Sequence, residues 1–401
     1  MTVFILGRRT IYRLRMSYLE LLNLFEEIKT ANIRIVSAGK DVLDYLIQKN
    51  ILVEYSEDCY SFKMNGVFEY FLAYFMLKND SFKKEILRNR DLYISFKNEI
   101  EIYSGLKKND STFLSEIYEI TKKIKSDVIE NERNFEEDIQ TESEELKNIV
   151  SLISELKKEI QPMTLDQQDE WEDNINPVDG IEADVKVKNG QFQNIVSDYI
   201  DTLKILGRVY RNIDEVFDQD MQFDIFSFLV QETCVSITLT FDQILFDINK
   251  DKVTSDEIKK LERLLRSFSP LIAHATLFDF VAHPTLTNII KKEIEKYSKE
   301  AHKNQFKLFV LYFMLIEIDV DENIDYIKEL IDISTYWNVL YSIYVKLVSF
   351  ISFKCDANKV LLEKVKNSLE LVLSKMYPKK QINNVINETL KSISIYKLDE
   401  Q

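Results

Sequence analysis

Apolar side chains along most of this chain recur every three or four residues, the period of a helix with one face turned to a core. In residues 16–29, Leu19, Leu22, Phe25 and Ile28 fall three apart, and Leu21 and Leu24 widen the same face. Residues 32–37 break the pattern, and 39–50 resume it with Val42, Leu43, Leu46 and Ile47 on one side. The period then shortens. Ile51, Val53 and Tyr55 alternate with Leu52 and Glu54, Ser56-Glu57-Asp58 supplies turn residues, and 59–63 reads as a returning strand. The stretch 60–77 is the densest aromatic run in the chain. Asn65 is the expected N-cap of its helix, and from Val67 to Leu77 the only charged side chain is Glu69. A helix apolar nearly all round is buried on several sides. This one is therefore expected to lie sandwiched between the hairpin and helices at 81–88 and 92–105.

Helix, helix, short hairpin is the element order of a winged-helix domain, a fold that commonly binds DNA. The helix that would enter a groove presents Lys40, Asp41, Asp44, Gln48 and Lys49, and the hairpin tip presents Glu54, Glu57 and Asp58. Mixed and acidic charge is poorly suited to phosphate contacts. The protein-packing version of the fold is expected instead.

Helical period continues at 111–125 through Phe113, Leu114, Ile117, Tyr118 and Ile120, and at 143–160. Pro162, Pro177, Gly180 and Gly190 make 161–190 a linker. From 192 onward the pattern predicts helices near 192–214, 219–234, 236–248, 256–267, 285–302, 304–317, 323–333, 335–353, 357–376 and 379–394. Thr254-Ser255-Asp256-Glu257 fits a capping box. Pro270 and Pro284 interrupt the pattern, each placed where a new helix can begin. No fixed repeat length emerges. The expected architecture is mainly α: an N-terminal segment (1–15), a small winged-helix-like domain with a short β-hairpin (16–78), a helical extension (79–160), an acidic linker (161–190) and a solenoid-like helical array (191–401).

Composition agrees with long helices, since the 401 residues include only 7 glycines and 5 prolines. The formal charge is −15. Residues 127–184 hold 19 acidic and 4 basic side chains, so this stretch alone accounts for the whole net charge. Such a balance argues against nucleic acid as the main partner. Arg8, Arg9, Arg13 and Arg15 leave DNA binding as a distant third option. Their place after the apolar Val3–Leu6 patch is the reverse of a signal peptide, and the expectation is a chain that starts within a larger architecture. Cys59, Cys234 and Cys355 are few, odd in number and far apart, which suits a reducing, cytoplasmic setting. No apolar run is expected to span a membrane.

Candidate chemistry is sparse. Asp247-Ile248-Asn249-Lys250-Asp251 opens like a calcium loop, but Lys252 and Ile258 stand where glycine and glutamate are needed. His274, His283 and His302 lack ligand spacing and are expected to be satisfied or at the surface. Glu69, alone in an apolar helix, is a candidate for perturbed proton affinity, with a structural hydrogen bond to a helix start or the hairpin backbone as the expected role. Asp319, Asp321, Glu322 and Asp325 cluster near a helix start, where the dipole favours them. Arg208 and Arg211 are expected to cover a helix surface. No catalytic residue, metal ligand or cofactor site is assigned.

The order Phe62-x-Met64-x-x-x-Phe68-Glu69-Tyr70-Phe71-x-Ala73 resembles the end of the winged-helix domain in NACHT-type STAND nucleotidases. Residues 45–52 resemble the family's lead into the hairpin, and 99–106 the helix that follows. The likeness spans roughly 16–110. Where the family places a histidine that reaches the nucleotide phosphate, this chain has Met64, whose thioether cannot donate a hydrogen bond. A Gly-x-x-x-x-Gly-Lys-Ser/Thr loop is also missing from the sequence.

The resemblance implies a non-catalytic regulatory and recognition part of a STAND-like signalling protein. Its partners would be a nucleotidase module and a protein trigger in antiviral defence. The alternative is an α-helical adaptor or scaffold whose winged helix docks a protein.

Overall fold

In the computed structural model the described residues are 15–31, 36–128, 195–216, 218–249, 255–355 and 358–378, with Ile382 and Ile386. The arginine patch before Arg15, the acidic stretch beyond Val128, the helix expected at 143–160, the 161–190 linker, Thr254 of the capping box and most of 379–394 lie outside them. The described residues form sixteen α-helices and one three-stranded antiparallel sheet. They divide into two compact units, one ending at Lys107 and one beginning at Lys108.

The first unit runs β1 (Arg15–Ser17), α1 (Tyr18–Ala31), α2 (Gly39–Gln48), β2 (Leu52–Ser56), β3 (Cys59–Phe62), α3 (Asn65–Lys78), α4 (Asp80–Arg88), α5 (Arg90–Ser95) and α6 (Lys97–Leu106). The expected helix-helix-hairpin order is present. Strand β1 was not expected. It pairs with β3, Met16 opposite Tyr60, and gives the sheet order β1-β3-β2. Three residues are too few for an alternating pattern to show, and Met16 joins the core because pairing turns it inward beside Leu21, Leu43, Leu52 and Phe62. The hairpin turn uses Asp58 at φ 55°, a region that Asp tolerates better than most side chains. Its carboxylate also accepts from the Tyr18 amide at 3.2 Å, tying the hairpin tip to the first turn of α1.

Gly39 has a packing reason. A Cβ there would meet Glu26 Oε1 at 2.8 Å and the Phe25 Cβ at 2.9 Å. The Gly39 amide donates to that same Glu26 oxygen at 2.9 Å, so α1 both crowds and caps the start of α2. Helix α3 begins one residue beyond its cap. Met64 is the N-cap and offers no side-chain hydrogen bond, so Asn65 is the first helical residue rather than the cap.

The second unit runs α7 (Ser111–Val128), α8 (Ile195–Asn212), α9 (Gln219–Asn249), α10 (Ser255–Val281), a 3-10 turn (Pro284–Leu286), α11 (Thr287–Ser298), α12 (Gln305–Ile318), α13 (Val320–Asn323), α14 (Tyr326–Ile333), α15 (Trp337–Phe353) and α16 (Lys359–Met376). Its centre is α12. Every residue from Gln305 to Ile316 is buried, and α9, α10, α11, α13, α14 and α15 all lie against it. The few polar groups on it are answered. Gln305 accepts from the Thr335 and Tyr336 amides at 2.7 and 2.9 Å, and the Lys307 ammonium lies 5.1 Å from the Tyr297 ring centre.

Two expected helix breaks are absent. Residues 219–249 form one helix, although Thr233, Val235, Ile237, Thr238 and Thr240 are weak helix formers because of their branched Cβ. Burial of Ile225, Phe226, Leu229, Val230, Cys234 and Ile237 outweighs that preference. The part Gln219–Phe241 is long and apolar enough to cross a membrane by length and composition, which the sequence reading missed. Half of it is buried among other helices, and Glu232 within it accepts from Lys125 Nζ at 2.9 Å and the Tyr199 hydroxyl at 2.7 Å. It packs as a core helix.

Helix α10 continues through Pro270. Proline has no N–H to offer the carbonyl four residues back. The Ser269 hydroxyl donates to that carbonyl, Arg266 O, at 2.7 Å and supplies the lost bond. Pro284 does begin a new turn, capped by His283. Ser269→Ala should therefore cost about 1–3 kcal/mol by orphaning a carbonyl. Adding Pro270→Ala should recover most of that loss, because the restored amide takes over. Thermal or urea unfolding of the two single variants and the double variant checks this. Additive losses would contradict it.

Candidate functional site

The candidate site is the surface built by the β3–α3 segment, where the aromatic motif falls. Phe62 ends β3 buried in the core, its ring 5.4 Å from that of Phe68 one turn into α3. Ala73 is fully buried, on a helix that packs against β3, α4 and α6. Phe71 is half-buried and meets Tyr70 edge-on at 5.7 Å. So Phe62, Phe68, Phe71 and Ala73 turn toward the body of the unit.

The rest of the motif does not. Met64 is 64% exposed, Tyr70 44% and Tyr74 45%, and a Cβ on Gly66 would meet nothing within 4 Å. Positions 66, 70, 74 and 78 are four apart, one stripe along the helix. Lys78 completes it, with its ammonium 5.4 Å from the Tyr74 ring centre. The expected sandwich is thus open on one side. The sequence could not show this because tyrosine is compatible with both core and surface.

Glu69 accepts from Asn98 Nδ2 at 2.8 Å, a side chain in the first turn of α6. One residue beyond Asn98, Glu99 is a carboxyl whose proton affinity burial shifts, which sequence reasoning missed. Burial pushes Glu99 up to about 7, its own backbone amide works against the shift, and the charge of Glu69 adds to it. The clue lay in the apolar stripe Phe96, Ile100 and Tyr103, which sets position 99 at the margin of a buried face.

The other singled-out groups are structural. Asp319 caps α13 by accepting from the Glu322 amide at 3.1 Å. Asp321 accepts from Asn358 at 3.1 Å, and Asp325 from Lys364 at 2.8 Å. Arg208 Nη2 lies 3.3 Å from the Asp279 carboxylate, and Arg211 donates to the Asp279 carbonyl at 3.5 Å. His283 accepts from the Thr285 amide at 3.4 Å, and His302 is exposed. His274 is buried and stacked on Phe278, with its Nε2 3.5 Å from Glu317 Oε2. Burial and the charge of Lys346 push it down to about 3, against a backbone hydrogen bond to Phe313. Cys59, Cys234 and Cys355 are free thiols. Among the described residues no group of three or more His, Cys, Asp and Glu could hold a metal ion.

Residues 14–72 match the family model for novel STAND NTPase 4. The matched span runs from just before β1 into α3. It takes in Phe62, Met64, Phe68, Glu69, Tyr70 and Phe71 and stops one residue short of Ala73. This segment is therefore similar to part of a STAND NTPase. No curated protein and no solved structure matches the chain.

Glu99 and His274 contribute opposite pH responses to their two units. Glu99 holds its proton to about 7 in the fold, against an ordinary value of 4.5. Between those values the unfolded chain ionises first, so the first unit loses stability as pH rises, by at most about 1.4 kcal/mol per pH unit. His274 stays neutral down to about 3, against an ordinary 6.5. The unfolded chain protonates first there, so the second unit loses stability as pH falls below 6.5. Hydrogen exchange followed by segment from about pH 4.5 to 7 should show the two trends. Glu99→Gln should flatten the first and His274→Leu the second.

Proposed function

We propose that this chain is the non-catalytic regulatory and recognition part of a STAND-like signalling NTPase of NACHT type, acting in cytoplasmic antiviral defence. The family match over 14–72 carries this reading. It coincides with one continuous piece of structure, the three-stranded sheet with α1, α2 and the first half of α3. In this reading the first unit is a winged-helix-like domain. Its strand order β1-β3-β2, with two helices between the first two strands, supports that description.

The chemistry supports a docking role over a catalytic one. Met64 stands where the resemblance places a phosphate-reaching histidine, and the sequence carries no phosphate-cradling glycine-lysine loop. What the segment does offer is Met64, Tyr70 and Tyr74 in the open, two residue types enriched at protein contacts. A nucleotidase module is the proposed occupant of that stripe. The helical second unit is the proposed reader of a protein trigger.

Tyr70→Ser with Tyr74→Ser should weaken binding to a co-expressed STAND nucleotidase module by roughly tenfold or more, as expected for aromatic contact residues. The unfolding temperature should stay within about 2 °C, since both side chains are solvent-facing. Calorimetry and thermal unfolding read the two effects. Unchanged affinity would remove the docking role. Deletions in 287–378 that leave phage-triggered signalling intact would remove the sensor role.

A further inference from the structure

Helix α14 ends at Ile333, with Ser334 as its C-cap, and the chain enters α15 at Trp337. The last carbonyls of a helix lack partners within it and form the negative end of its dipole. In α14 the carbonyls of Ile331 and Asp332, with that of Ser334 just beyond, converge on one atom. Lys375 Nζ, from the last turn of α16, donates to them at 2.5, 2.9 and 3.2 Å. An ammonium has three protons to give, one for each oxygen.

The backbone that carries these oxygens is fixed by bonds that do not involve Lys375. The Ser334 amide and hydroxyl both donate to the Leu330 carbonyl, at 3.1 and 2.6 Å. Gln305 of α12 accepts from the Thr335 and Tyr336 amides and donates to the Thr335 hydroxyl at 2.7 Å. Both Ser334 and Gln305 are buried. Helix α16 is also anchored elsewhere along its length. Its Val365, Leu369, Val372 and Leu373 are buried, and Lys364 donates to Asp325 at 2.8 Å. Shortening Lys375 therefore leaves three preset carbonyls and an intact helix beside them. Lys375 is exposed, so solvent reaches the space its side chain would vacate.

Three neutral carbonyls at the negative end of a helix favour a single positive charge that brings its own N–H donors. We propose that the end of α14 is a binding socket for a primary ammonium group, and that Lys375 is its tethered occupant. The socket rests on this geometry alone and stands whether or not the unit reads a trigger.

Chemical rescue on the full chain tests it. Lys375→Ala removes the ammonium and its stem. Amides in 330–334 should then exchange roughly tenfold faster than in the unmodified protein, as expected for loss of a charged hydrogen-bonding group. Propylammonium chloride, which replaces stem and head together, should restore most of that protection. Tetramethylammonium chloride at the same concentration should not, since it has no N–H to donate. The unmodified protein should respond to neither salt, because a tethered lysine outcompetes a free amine. Exchange in 330–334 that Lys375→Ala leaves unchanged would overturn the socket. So would equal recovery in the two salts, which is a general effect of ionic strength.

Discussion

The second unit depends on the burial of one helix, in which every residue from Gln305 to Ile316 is buried. A helix apolar on every side cannot satisfy itself by covering one face. It requires neighbours all round, and α9, α10, α11, α13, α14 and α15 supply them. Fully burying a side chain such as Leu308, Phe309 or Phe313 is worth about 1.5–3 kcal/mol, so few arrangements of the surrounding helices compete. The same requirement accounts for the two breaks that did not form. A long α9 and a long α10 carried through Pro270 both extend the wall around α12. A hydroxyl at Ser269 is a smaller cost than a gap in that wall.

The first unit solves a different problem. Under its sheet lie Met16, Leu21, Leu43, Leu52 and Phe62, with Phe68 and Val67 packed against them, and the helices that follow bury Leu72, Met76, Phe82, Ile86, Tyr93, Ile100 and Tyr103. Polar groups join the elements at their ends. Asp58 holds the hairpin tip to α1, Glu26 holds the start of α2, and Asn98 holds Glu69. Helix α3 is then left with Gly66, Tyr70, Tyr74 and Lys78 exposed among the described residues. The motif residues divide along this line. Phe62 and Ala73 are buried and Phe68 and Phe71 half-buried, while Met64 and Tyr70 are exposed. That division is what makes a recognition role for this segment chemically reasonable, and Glu69 belongs with the structural half.

Glu99 and His274, both outside the motif, follow burial. Glu99 and His274 lie in different units and are shifted in opposite directions, yet desolvation is the first cause of both. In each case the neutral form is the one the fold accommodates.

The sequence alone determined the helix-rich class, the position of the hairpin, the exposed face of α2 and the motif that the family model also matches. These are local properties, written in periods of two and three to four and in turn residues. It did not determine strand β1, since three residues only become a strand when β3 lies beside them. Nor did it show which apolar helix would be central. Residues 65–77 and 305–318 both look buried in sequence, and only packing made the second a core and left the first with Gly66, Tyr70 and Tyr74 open. Pro270 reads as a helix break because the rule concerns a missing amide. The neighbouring hydroxyl that replaces it acts only once the helix exists. Proton affinities at Glu99 and His274 were hidden for the same reason. Desolvation depends on what surrounds a group in space, and sequence lists only its neighbours along the chain.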